Sequence, residues 1–242
     1  MKKIYKYGML GLVAALSVGM ASCKPKAAQG VTATEILIGN TATEAGTWAW
    51  IGKPFNNGLR AYLEVVNNEG GVDGRTIRLI NRDDGFDGAV GLTNTEALVE
   101  DDKIFALVGH FGTPTIAATV GYIKEKGIPM VYAATGENLL YSLKDDLSPV
   151  MPVQPIYKTE GRIMVARVFA ENDLFGTVNK VAVIHTPTGD GIGIKAGIEE
   201  QVAALGVGSK VQYFETQGGT TPDYSSTVLA AKNYNPDVVI VA

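Results

Sequence analysis

Apolar runs of strand character alternate with helical patterns along most of this chain. Glu35-Ile36-Leu37-Ile38-Gly39 is the first predicted strand. A helix is expected from about Pro54, because Phe55, Leu59, Tyr62, Leu63 and Val66 recur on one helical face. Asn67-Asn68-Glu69-Gly70-Gly71 ends it with a glycine stop signal. The pattern then predicts a strand over 76–80, a helix over 89–99, a strand over 104–108, a helix opening at Pro114 and a strand over 128–132. Pro149, Pro152 and Pro155 break the rhythm and read as a crossing between two lobes. It resumes with a helix over 159–170, a strand over 180–185, a helix ending near Leu205, a strand over 210–214, a helix over 225–234 and a strand over 238–241.

Continuous apolar strands alternating with helices predict an α/β protein in which parallel sheets are covered by helices on both faces. Two such runs joined by a proline-rich crossing predict two lobes, spanning 34–150 and 151–242, the second incomplete. Open α/β sheets bind ligands beyond the carboxyl ends of their strands, so the loops after each strand are the places to look for chemistry. The sequence ends on strand residues Val238 to Val241 with no element to cover them. The chain is therefore expected to be a fragment, and residues 1–242 alone to be poorly stable.

The first residues follow a different logic. Lys2, Lys3 and Lys6 precede an uncharged, mostly apolar run from Gly8 to Met20, then Ala21-Ser22-Cys23. A basic start, a short apolar run and small residues before a cut describe a secretory signal peptide over 1–22. The run is shorter than the ~20 residues that span a bilayer. Cys23, the only cysteine, sits where a bacterial lipobox places its lipidated residue, although Met20 stands where that pattern prefers Leu. Residues 23–33 then read as a lipidated tether. A lone cysteine excludes an intramolecular disulfide and any cysteine-based metal cluster.

Charge narrows the partners. The chain carries a net −4, and removal of 1–22 takes away three lysines and no acids, leaving −7. No basic stripe is present, which argues against nucleic acid.

Several stretches together resemble a known family. They are Asn57-Gly58 with its helix; Asn67 to Arg75; Asn81-Arg82-Asp83-Asp84; Val108-Gly109-His110-Phe111-Gly112-Thr113-Pro114-Thr115; Gly127-Ile128-Pro129-Met130-Val131 before Thr135-Gly136; Lys180 to His185; and Asn235-Pro236-Asp237-Val238-Val239. In this order and spacing the chain from about residue 34 onward resembles the type I periplasmic solute-binding proteins, in the branch of the leucine/isoleucine/valine-binding receptors of ABC importers. The resemblance implies a two-lobed fold of which roughly a third is missing here. It also implies a receptor that captures an amino acid, amide or small carboxylate between its lobes and delivers it to an ABC permease, without enzymatic activity or cofactor. A lipid-anchored protein of the same fold regulating a cell-envelope enzyme or sensor is the second reading; it predicts an envelope partner in pull-down and a ligand-indifferent cleft.

The resemblance also points to residues. Thr113 opens a helix ahead of Pro114, where Thr is a good N-cap and Pro suits the first turn. A helix amino end after a strand suits a ligand carboxylate. The family commonly hydrogen-bonds that carboxylate from the Thr113 position, so Thr113 either binds, caps, or does both. Thr135 and Gly136 would line the other side, Gly136 by close backbone approach or as a plain turn. Trp48 and Trp50 lie in the expected loop from Thr41 to Gly52; at least one is expected to cover the ligand's apolar part, the alternative being packing on the neighbouring helix. Tyr157 matches a position from which the second lobe reaches the ligand. Asp190 stands where the family often offers an aromatic, and either meets a ligand ammonium or caps the following helix.

Two other patterns compete. Gly191-Ile192-Gly193-Ile194-Lys195-Ala196 fits a dinucleotide fingerprint, but Thr186 to Asp190 separate it from its strand, where the fingerprint needs a tight turn. His110 and His185 end different strands and, with Asp83, Asp84 or Asp87, make a weak case for metal. No G-x-S-x-G elbow is present.

Overall fold

The computed structural model describes residues 28–141, 150–217 and 223–242. The signal peptide and Cys23 lie outside the described residues. Strand β1 (Glu35–Thr41) pairs in parallel with β2 (Thr76–Arg82) on one side and β3 (Ala106–Val108) on the other. β4 (Met130–Ala133) and β5 (Val150–Pro152) complete a five-stranded sheet in the order β2-β1-β3-β4-β5. A second parallel sheet has the order β7-β6-β8, from β6 (Val181–His185), β7 (Val211–Glu215) and β8 (Val238–Val241).

Helices cover both faces of the first sheet, and β1 shows how. Gly39 faces Leu98 of α2 (Gly88–Glu100), whereas the next residue, Asn40, bonds Asn56 of α1 (Ala49–Asn68) at 3.0 Å. Successive strand side chains point to opposite faces, so one strand serves both layers. α3 (Thr113–Lys126) packs beside α2, and together they close a core of Leu37, Leu98, Ile104, Leu107, Ile116, Ile123 and Met130. α3 ends where Gly127 adopts φ 66°, a left-handed cap that glycine takes without steric cost.

The second sheet has its own core, including Val165, Val181, Val183, Ile198 and Ile240. α4 (Tyr157–Ala170) and α6 (Gly189–Leu205) pack against each other, with the short α5 (Asn172–Phe175) between them in sequence. α7 (Ser225–Asn233) covers β6 and β7. The contact between α4 and α6 is close because glycines meet backbone: a Cβ on Gly197 would lie 1.9 Å from the Lys158 carbonyl oxygen, and one on Gly161 would lie 2.0 Å from that of Ile194.

Several boundaries shift by a residue or two from the sequence reading, and three of the differences have a visible cause or consequence. α1 begins at Ala49, not Pro54, so Trp50 lies on a helix and Pro54 inside it. The early start is held by its own first turn, where Ile51 and Gly52 both donate to the Trp48 carbonyl, and by close packing on the preceding loop, since a Cβ on Gly52 would lie 1.7 Å from the Thr43 carbonyl oxygen. α4 begins at Tyr157, two residues before the expected start. Pro152 falls in β5, an edge strand of the first sheet, where a missing N–H is tolerated.

Candidate ligand site at the carboxyl ends of the strands

The loop after β3 turns through Gly112 at φ 101°, which lets α3 begin at Thr113. Gly112 occupies the N-cap position, so Thr113 is the first helical residue and its side chain does not cap the helix. Its hydroxyl instead lies 2.8 Å from Thr135 Oγ1 and 3.2 Å from the Tyr157 hydroxyl, with Thr135 and Tyr157 also 3.2 Å apart. Three residues singled out by resemblance, far apart in sequence, thus form one triangle of hydroxyls. Thr113 and Thr135 are buried and Tyr157 is half-buried.

Each hydroxyl carries one proton and can accept. A ring of three can satisfy itself, or turn its protons toward a guest anion beside the amino end of α3. The Glu137 N–H adds a further donor to Thr135 Oγ1 at 3.2 Å. No charged side chain is needed to hold the triangle, so it offers neutral donors.

The loop after β4 also builds the start of α4. The Gly136 carbonyl accepts the Tyr157 N–H at 2.8 Å, and Asn138 Oδ1 accepts the Lys158 N–H at 3.1 Å. Ile156, the N-cap residue of α4, has no side chain able to do this. The first lobe therefore caps a helix of the second, fixing Tyr157 against Thr135. A Cβ on Gly136 would lie 2.5 Å from the Pro155 carbonyl oxygen and 2.8 Å from the Tyr157 ring, so the close approach expected at Gly136 is taken by the crossing chain.

Trp48 and Trp50 separate. Trp48 ends the loop after β1, at the N-cap position of α1, and packs on Phe86 with ring centroids 5.1 Å apart. Trp50 is 71% exposed on the first turn of α1. Phe86 was not singled out from sequence. It holds φ 68°, a costly conformation for an aromatic residue, and its N–H donates to Asp84 Oδ1 at 2.9 Å. Its ring lies 3.0 Å from where a Cβ on Gly112 would be, beside the amino end of α3. The legible signal was Asp84-Gly85-Phe86-Asp87, an aromatic set among turn-forming residues in a loop after a strand.

Thr115, in the first turn of α3, meets a buried carboxylate. Asp84 Oδ2 accepts from Thr41 Oγ1 at 3.0 Å and from Thr115 Oγ1 at 2.8 Å. It ties β1, the Phe86 loop and the first turn of α3 together. Burial pushes the Asp84 carboxyl above its ordinary range, against the opposing effect of these hydrogen bonds.

Asp190 is neither the N-cap of α6 nor a capping side chain, contrary to the capping alternative. Thr188 takes the N-cap position, and Asp190 lies in the first turn accepting the Thr188 hydroxyl, where the helix dipole favours a negative charge. Gly189 lies across from the first lobe: a Cβ there would be 2.5 Å from Glu137 Oε2 and 3.0 Å from Thr113 Cγ2.

The competing patterns have structural explanations. A Cβ on Gly191 would lie 2.3 Å from Thr186 Oγ1, and one on Gly193 would lie 3.0 Å from Tyr157 Cβ. Both glycines seat α6 against its neighbours. His110 is fully buried, close to Thr95 and Thr119 through Nε2, and accepts the Thr41 N–H through Nδ1. Burial pulls its pKa down to about 3, so the ring is neutral at physiological pH. His185 belongs to the other sheet, with Nδ1 3.1 Å from the Thr186 carbonyl. Among the described residues no group of three or more His, Cys, Asp or Glu is placed to hold a metal ion.

This architecture is shared. Residues 35–242 match the family model for periplasmic binding proteins. The chain is 24% identical over 232 residues to the Leu/Ile/Val-binding protein homolog 2 of Brucella abortus (strain 2308), covering 93% of this chain and 58% of that protein. It superposes with a TM-score of 0.72 on the branched-chain amino acid transporter substrate-binding protein LivJ from Streptococcus pneumoniae in complex with isoleucine, at 22% identity over 86% of this chain and 57% of that one. A solute-binding protein of an ABC transporter from Rhodopseudomonas palustris BisB5, in complex with 3,4-dihydroxybenzoic acid, gives a TM-score of 0.71 at 20% identity over 86% of this chain and 54% of that one. The chain thus spans somewhat more than half the length of these proteins. With two parallel sheets, each flanked by helices, and a family match running from the first strand to the last, the chain belongs to the periplasmic binding protein family.

Proposed function

We propose that the protein is an extracytoplasmic solute receptor of an ABC importer, binding an amino acid, amide or related small carboxylate between its two lobes. The observation that carries this reading is the hydroxyl triangle of Thr113, Thr135 and Tyr157, drawn from both lobes and set at the amino end of α3. Neutral donors at a helix amino end suit a carboxylate, and donors shared between lobes make binding and closure one event. Trp48, with Phe86 beside it, would cover the apolar part of the ligand, while Gly136 holds the loop that carries Thr135. Asp190 is proposed to border the ligand from α6.

Export and anchoring complete the proposal. The N-terminal signal and Cys23 would tether the receptor to a membrane through lipid, leaving the lobes free to meet a permease. Among the described residues no helix is long and apolar enough to cross a membrane. The branched-chain type is supported by the name of the Brucella relative and by the isoleucine in the Streptococcus structure.

The test is saturable change of tryptophan fluorescence in the full-length protein, titrated with amino acids, their amides and aromatic acids. Saturation by one class supports the receptor reading. Silence across the whole panel would overturn it.

A further inference from the structure

β1 and β2 run side by side in register to Thr41 and Arg82, and the Ala42 N–H still donates to the Arg82 carbonyl at 3.0 Å. There the two chains part, one toward Trp48 and the other toward Phe86. Asp83 stands at the fork. Its Oδ1 accepts the Glu44 N–H of the first loop at 2.8 Å and the Gly85 N–H of its own loop at 3.0 Å. The Glu44 carboxylate runs back to α1 instead, meeting Asn56 Nδ2 at 2.8 Å and an Arg60 guanidinium nitrogen at 2.7 Å. Asn94 of α2 donates to the Asp83 carbonyl at 2.9 Å, which ties the fork to a helix.

The second loop needs this support. Gly85 and Phe86 hold φ 58° and 68°, two left-handed residues in succession. That conformation is costly for Phe86 and persists only where its neighbours over-determine it. Asp83 and Asp84 each accept the N–H two residues on, at 3.0 and 2.9 Å. Partial burial works to raise the Asp83 carboxyl, but the N–H groups of Glu44 and Gly85 bring it below its ordinary value, so it is ionised at neutral pH. Hydrogen bonds to a charged acceptor are roughly twice as strong as neutral ones.

We propose that Asp83 is a positioning residue, whose carboxylate clasps the loops after β1 and β2 and so seats Trp48 on Phe86 as one apolar wall for the ligand. The inference rests on that pair as the ligand's apolar cover. Asp83 acts through the two loops and not by contact with the solute.

Trp48 reports the clasp when Trp50→Phe removes the other tryptophan from the full-length protein. In that background, and without ligand, Asp83→Ala should raise the iodide quenching of Trp48 and shift its emission to the red. Asp83→Asn keeps an acceptor oxygen without the charge and should fall between the two. Affinity for whichever amino acid, amide or aromatic acid saturates the parent protein should drop about tenfold in Asp83→Ala, and less in Asp83→Asn, because a wall no longer held in place must be ordered on binding. Circular dichroism checks folding, and if Asp83→Ala does not fold, Asp83→Asn carries the same comparison. A lower melting temperature with Trp48 quenching unchanged marks a merely structural residue and overturns the inference. So does quenching that rises with no loss of affinity. If no solute of the panel binds the parent protein, the receptor reading fails, and the quenching of Trp48 still supports or overturns the clasp by itself.

Discussion

The hydroxyls of Thr113 and Tyr157 lie 3.2 Å apart, one at the start of a helix in the first lobe and the other at the start of a helix in the second. Neither position is built by its own element alone. Gly112 frees Thr113 from capping, and the Gly136 carbonyl holds the first N–H of Tyr157's helix. The two lobes therefore share one polar corner, and a solute bound there as proposed would replace hydrogen bonds the lobes otherwise make with each other.

Removing one corner of the triangle should weaken binding without unfolding the protein. Thr113→Val keeps the shape and deletes the hydroxyl. Loss of a hydrogen bond to a charged group is worth about 1.5–3 kcal/mol, so affinity should drop roughly 10- to 100-fold. Tyr157→Phe should cost less, since the ring and its packing remain. Calorimetric titration against whichever solute saturates the wild type measures both, and unaltered affinity in Thr113→Val would place the ligand elsewhere.

Much of this corner was legible because it follows from topology. Strand–helix alternation fixed which loops would gather, and the family resemblance singled out Thr113 and Thr135 within them. Tyr157 was reachable only through resemblance, because its place depends on a cap supplied by Asn138 and Gly136 from the other lobe. Phe86 was missed for a related reason. Its left-handed backbone is stabilised by Asp84 and by packing on Trp48, neither of which leaves a periodic mark in the sequence. For Trp48 and Trp50, at least one of which was expected to cover the ligand, the sequence left open which; a helix begun at Ala49 leaves Trp50 exposed on its first turn, and no periodic pattern marked that early start.

Asp84 should give the protein a distinctive pH dependence. Its carboxyl is raised above the ordinary value of 3.8 by burial, so between that value and the raised one the folded state binds more protons than the unfolded state. Its contribution to stability is therefore greatest at low pH and is lost as the pH climbs through that window. Asp84→Asn removes this titration. Comparing melting temperatures of the two proteins from about pH 4 to 7 should show a slope in their difference; a pH-independent difference would contradict it. At neutral pH the variant should also be less stable by about 1–3 kcal/mol, because an amide sets new donors against Thr41 and Thr115.

The contact between α4 and α6 depends on glycine. At Gly197 a side chain would meet the Lys158 carbonyl 1.9 Å away, and a carbonyl inside a helix cannot step aside as a side-chain tip can. Gly197→Val should destabilise the second lobe by about 3 kcal/mol or more. Urea denaturation followed by far-ultraviolet circular dichroism should show a lower midpoint. Gly206→Ala at the end of the same helix tests backbone conformation instead of crowding, because φ there is 68° with nothing within 4 Å of a Cβ. It should be the milder of the two.

Cys23 is the proposed anchor, and its thiol is the atom that an acyl-bearing diacylglyceryl group would take. Replacing it by serine keeps size and polarity but removes the nucleophile that forms the thioether. Cys23→Ser should move the exported protein from the membrane fraction to the soluble fraction and abolish labelling by radioactive palmitate. Retention of both label and membrane association would end the lipoprotein reading.

The two tryptophans should report different things. Trp50 is 71% exposed and stacks on no other aromatic ring among the described residues, so its emission should be red-shifted and readily quenched by iodide. Trp48 is 38% exposed and packed on Phe86, whose ring borders the amino end of α3. Solute bound at Thr113 should therefore perturb Trp48 and leave Trp50 nearly untouched. Trp50→Phe should keep the ligand-induced fluorescence change and lose most of the iodide-accessible signal, whereas Trp48→Phe should do the opposite. If the ligand response instead follows Trp50, the apolar wall of the site lies on the outer turn of α1, and Phe86 has no part in it.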